Sequence, residues 1–209
     1  MKPNKQNELY ANLMDEVKVR IDAINYAAQG FIRLPTPIVR EFCYLQLRLL
    51  CELIALSCLV AHGDITFLQP HKLGRSYSAE DIFERLTKLR EHFYPVAVKQ
   101  TPKDGGIRGF NLEGINPSPL DKHDLLKLYG HTHKHLHRGS LKKLLESATP
   151  IDITINMPEI VGWAQKINDL LACHLIAINE DKVIICMLRN ADDNFKVQVA
   201  TAERPTEPL

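Results

Sequence analysis

Several signatures of common chemistry are missing from this sequence. It has no CxxC pair, no HExxH, no GxSxG elbow and no GxxxxGK[ST] loop. Those gaps exclude a cysteine-paired zinc knuckle, a zincin helix, an α/β-hydrolase nucleophile and a P-loop nucleotide cradle. A basic excess is also lacking: 26 Lys and Arg face 25 Asp and Glu, for a net charge of +1. A protein that holds nucleic acid by bulk electrostatics shows such an excess, so any contact of that kind here must be local. No long apolar run is free of charge. The most apolar stretch, Leu45 to Ala61, carries Gln46, Arg48 and Glu52, which points to a buried helix and not a membrane span. The opening residues, "MKPNKQNELYANLMDEVKVR", have no apolar core of the signal-peptide kind, so a cytoplasmic location is expected. No internal repeat or low-complexity tract occurs.

There is enough material for one sizeable core. The chain has 209 residues, 45% hydrophobic and 24% charged, an ordinary globular balance. Its five cysteines, Cys43, Cys51, Cys58, Cys173 and Cys186, sit among apolar neighbours. Reduced, buried thiols are expected, since free cysteine packs as a small hydrophobe.

Helical periodicity dominates. Leu9, Leu13, Val17, Ile21 and Ile24 predict a helix from about Glu8 to Gln29, stopped by Gly30. After the connector "RLPTPIV", a second helix from about Ile38 to His62 is apolar nearly all round, as a central helix would be. Ser78 and Asp81 resemble a capping box. Residues 93–119 are rich in Gly and Pro and have no helical period, with "YPVAVKQ" and "GFNLEG" as candidate short strands. A helix resumes at the N-cap Asp121 and runs to about Arg138. "SLKKLLES", with Lys142 and Lys143 on a solvated face, reads as a short helix. A final one is capped by Asn156, with Pro158 in its first turn and Trp163 in the core. "HLIAI", "KVIICMLR" and "FKVQVATA" read as an antiparallel hairpin or three-strand meander. The expected fold class is mainly α: a bundle of four to five helices with a small C-terminal β segment, α+β overall. Residues 1–150 would form the bundle, and 151–209 the last helix and the strands on the same core.

Chemistry concentrates in "LYGHTHKHLHRGSL". His131, His133, His135 and His137 fall within seven residues. On a helix they split into two stripes: His135 lies about 40° from His131, with His133 and His137 near 200° and 240°. An apolar face of Leu125, Leu128, Tyr129, Thr132 and Leu136 lies between them. Each pair has the i, i+4 spacing that suits two ligands of one metal ion, and Asp124 shares the stripe of His131 and His135. These three are the candidate ligands, for zinc or nickel; the competing reading is half-buried, hydrogen-bonded boundary residues. His137, near the helix end, is placed where the helix dipole favours a cationic imidazolium. Arg48, inside the leucine-rich helix, needs a partner, and Glu52 one turn on supplies it. Tyr44, Glu41 and His62 lie close to that polar stripe, which reads either as a pocket wall or as an ion pair that fixes helix register.

Two segments, "QLRLLCELIALSCLVAHGD" and "LLKLYGHTHKHLHRGS", resemble parts of the HEPN superfamily (higher eukaryotes and prokaryotes nucleotide-binding domain). The likeness covers about Glu8 to Leu145. It implies a bundle of four or five helices, often dimeric, and a nucleic-acid-associated or defence-type role. In active members an arginine precedes the histidine by five to seven positions, and the two cleave RNA without metal. Counted back from His137, those positions hold Thr132, His131 and Gly130. The resemblance carries over His137 alone. A metal-independent ribonuclease would therefore need Arg48 or His131 to stand in, with His137 as acid or base and Glu52 beside Arg48. The expectation is a non-catalytic, homodimeric accessory protein with RNA or a protein as partner. The alternatives are a metal-binding enzyme or sensor, and a protein-interaction module whose β segment offers an edge for strand addition.

Overall fold

The computed structural model describes residues 3–62, 78–90, 92–102, 110–136, 154–190 and 196–203. Two long helices come first, α1 (Pro3–Ala28) and α2 (Thr36–Ala61). Gly30 follows α1 at φ +78, a left-handed conformation that suits glycine at a helix end, and its N–H bonds the carbonyl of Ala27. A shorter helix, α3 (Ala79–Leu89), begins at Ser78, whose Oγ accepts the Asp81 N–H at 3.1 Å, as the capping pattern predicts. Strands β1 (Val96–Pro102) and β2 (Phe110–Gly114) come next. Helix α4 (Lys122–Leu136) is the histidine helix, opened by Asp121, whose Oδ1 accepts the Asp124 N–H at 2.7 Å. Helix α5 (Met157–Leu171) opens at Asn156, which accepts the Glu159 N–H at 3.3 Å. Strands β3 (Cys173–Ala177), β4 (Lys182–Asn190) and β5 (Lys196–Glu203) end the described chain.

The sheet is larger than the sequence implied. All five strands form one antiparallel sheet in the order β2-β1-β3-β4-β5. The architecture is α+β, not a bundle with a small hairpin. The expected C-terminal meander is present, but β1 and β2, from the Gly/Pro-rich region, extend it. Val96 pairs with Leu175 and Ala97 with His174, which brings the two halves of the sequence into one sheet. The segment "SLKKLLES", with Lys142 and Lys143, lies outside the described residues.

One buried cluster draws on all five described helices and on β1, β3 and β4. In α1 the buried stripe is Tyr10, Met14, Val17, Ile21 and Ile24, a 3–4 spacing that faces α2 and the sheet. Helix α2 packs against each of the other four helices, so Leu47, Leu50, Ile54 and Cys58 are fully buried. Its length and hydropathy alone would suit a membrane span, but 61% of that apolar window is buried within the fold. Along β3 and β4 the side chains alternate. His174, Ile176, Ile184 and Cys186 face the helices, while Leu175 and Val183 join Val98 in a second, smaller cluster on the opposite face. All five cysteines are free, four of them buried and Cys173 half-buried. Trp163 is half-buried against the core, and the Lys166 ammonium lies 4.7 Å from the centre of its ring.

Candidate functional site

Helices α2 and α4 run side by side, and their polar residues line up along one margin of the contact. The leucines of α4 explain its orientation. Leu125, Leu128, Tyr129 and Thr132 are buried against α2, which leaves His131 and His135 half-buried on one flank and His133 exposed. The three described histidines fall on the sides the helical period predicts. His137 lies outside the described residues.

Arg48 and Glu52 occupy the middle of this seam. Arg48 Nε is 3.2 Å from Glu52 Oε1, the expected i, i+4 pair, with both side chains about one-quarter exposed. Tyr129, read in sequence only as part of the apolar face, completes the cluster. Its hydroxyl accepts a bond from Arg48 Nη2 at 2.7 Å and donates to Glu52 Oε1 at 3.1 Å. The guanidinium carbon also lies 4.4 Å from the centre of the Tyr129 ring. Burial, then the neighbouring Glu52 carboxylate, pushes the Tyr129 hydroxyl up to about 12, so it stays protonated as a donor. Arg48 is therefore engaged on two sides.

One turn earlier in α2, Tyr44 is 3% exposed and forms a floor for the histidine pair. Its ring stacks on His135 at 3.8 Å and 2°, and lies 5.8 Å and 12° from His131. Burial, reinforced by the Glu159 carboxylate, raises the Tyr44 hydroxyl above its ordinary range, so it too remains neutral. The two imidazoles face one another, with Nε2 atoms 2.8 Å apart, ring centres 4.8 Å apart and planes within 10°. The centres are farther apart than the nitrogens by nearly two ring radii, so the rings meet head to head and almost coplanar. In that geometry one Nε2 donates a proton and the other accepts it. The carboxylate beside them comes from α5: Glu159 Oε1 is 3.8 Å from His131 Nε2. Asn156 orients Glu159 by donating from Nδ2 to Oε2 at 3.0 Å.

Asp124 takes a different place from the one its helical angle implied. It shares an angular stripe with His131 but lies two turns earlier, about 10 Å along the axis. It pairs with Lys127 at 3.0 Å, and that bond holds its carboxyl below the usual range. Its ligand atoms group instead with Asp121 and His123, at the exposed start of α4. His62, also placed near the polar stripe, lies at the far end of α2, with Nδ1 3.4 Å from the Ile178 carbonyl.

A second polar cluster is wholly internal and gave no sequence signal. His174 on β3 and Tyr10 on α1 are both fully buried, 164 positions apart, with Tyr10 Oη and His174 Nε2 at 2.6 Å. His174 Nδ1 lies 3.0 Å from the Leu171 carbonyl, which can only accept. Nδ1 therefore carries the proton, and Nε2 accepts from Tyr10. Burial lowers the imidazole from 6.5 to about 4.

No family model, curated protein or solved structure matches this chain.

Proposed function

We propose that this protein is a HEPN-like helical accessory protein, RNA-associated and homodimeric, that does not itself cleave RNA. The observation that carries this reading is the closure of Arg48. A ribonuclease of the kind the resemblance implies needs a cation free to meet developing phosphorane charge. Here Glu52 and Tyr129 already bind the Arg48 guanidinium. The near-neutral net charge favours local contact with a partner over bulk attraction to nucleic acid. Exposed apolar side chains supply a surface suited to a second copy. Val19 and Tyr26 share one face of α1, Ile38 and Leu45 share one face of α2, and Phe31 and Leu34 lie in the connector between them.

The test is an RNA panel at low salt, read for both binding and cleavage. Binding without cleavage is expected. Cleavage by the wild type that His137→Ala abolishes in a folded protein would overturn the non-catalytic reading. Absence of both would remove the RNA association and leave the interaction module, for which the two outer strands β2 and β5 offer edges.

A further inference from the structure

We propose that His131, His135 and Glu159 form a binding site for one divalent transition-metal ion, with zinc or nickel the best-suited occupants. The site is independent of any RNA association. Its third ligand differs from the sequence expectation, since it comes from α5 and not from the histidine helix.

Two donors from two helices flank His131, the imidazole of His135 on one side and the carboxylate of Glu159 on another. The imidazoles point their Nε2 atoms at one another, 2.8 Å apart, and the Glu159 oxygen lies 3.8 Å from His131 Nε2. Two imidazoles on a tetrahedral ion, each at about 2.0–2.1 Å, sit about 3.3 Å from one another. To bind a single ion the nitrogens need to part by about 0.5 Å, each ring to tilt by about 35° so that both lone pairs meet off the line between them, and the carboxylate to swing inward. The site leaves room for that motion: the side chains of His131 and Glu159 are 37% and 34% exposed. Two features resemble the outer shell of a metal centre. Tyr44 fixes the plane of the His135 ring, and the Asn156 amide holds the Glu159 carboxylate. Two imidazoles and one carboxylate suit zinc, nickel or copper and disfavour magnesium or calcium, which take oxygen ligands. Water would complete the coordination sphere. No redox step is involved. Binding requires only that the shared Nε2 proton leave, or move to Nδ1, so that both Nε2 atoms present lone pairs.

Any histidine-rich helix binds nickel weakly through i, i+4 pairs, so the decisive residue is Glu159. The experiment titrates zinc, then nickel, into the chelator-treated full chain by calorimetry. It compares wild type with His131→Ala, His135→Ala, Glu159→Gln, His133→Ala and Asp124→Asn. One equivalent should bind in the micromolar range or tighter. Affinity should fall at least about tenfold in each of the first three variants and stay unchanged in the last two. Cobalt added to the wild type should give the intense visible absorption of a tetrahedral site, a readout that needs no variant. Absence of binding by the wild type overturns the site. So does an affinity indifferent to Glu159→Gln or equally sensitive to His133→Ala, since either result describes casual chelation by the histidine run.

Discussion

His174 is an imidazole in a place that tolerates only its neutral form. Its folded value, about 4, lies below the ordinary 6.5. Between those values the unfolded chain takes up a proton that the folded chain refuses, so stability falls as pH drops through that window. The contribution is complete above pH 6.5 and lost by pH 4, a difference on the order of 3 kcal/mol. Urea midpoints measured from pH 7.5 to pH 4 should fall more steeply for the wild type than for His174→Gln. Parallel curves would show that the imidazole does not govern the slope. Tyr10→Phe should cost about 1–3 kcal/mol at neutral pH, because it leaves buried Nε2 without its donor. Neither residue stands out in the sequence, since the pair exists only once α1 meets β3. Arg48 and Glu52 were legible because both lie on one helix at a spacing whose geometry is known in advance. Glu159 was not, because its approach to His131 depends on how α5 packs.

Helices announced themselves through local chemistry. Ser78, Asp121 and Asn156 each bond an N–H three residues on, and each was readable as a cap from its side chain and the helix-forming residues after it. Removing one such bond, with Asn156→Ala, should destabilise the fold by about 1 kcal/mol, read from the shift in thermal midpoint. The same change frees Glu159 from its amide partner and should weaken metal binding as well. Strands β1 and β2 gave a fainter signal. Their runs are short, and the partner that makes β1 an interior strand, β3, is remote in sequence. Pairing at such a distance leaves no periodic trace, so a five-stranded sheet read as a small appendage. The seam between α2 and α4 offers a further test at this scale. Tyr129→Phe should cost about 1 kcal/mol. Its effect should be non-additive with Glu52→Ala, because both changes remove one and the same hydrogen bond. Additive losses would mean that the hydroxyl and the carboxylate act separately.

At the scale of the whole molecule, the exposed apolar side chains around the α1–α2 connection predict self-association. Light scattering after size exclusion should show a dimer for the wild type. Tyr26→Asp combined with Phe31→Asp should yield a monomer with unchanged circular dichroism, since both rings are more than half exposed and lie 4.7 Å apart. A wild-type monomer, or a dimer that survives the double change, would count against this surface. The connectivity has a separate consequence. Helix α1 is closed by β5, where Thr201 reaches Asn7, and by β4, where Arg189 reaches Asp22 at 2.7 Å. During translation α1 can pack on α2 at once, but the face it turns to the sheet waits for β4 and β5, the last described strands. A nascent chain stalled short of residue 196 should leave that sheet-side face open to chaperones and proteases, however complete its other helices have become.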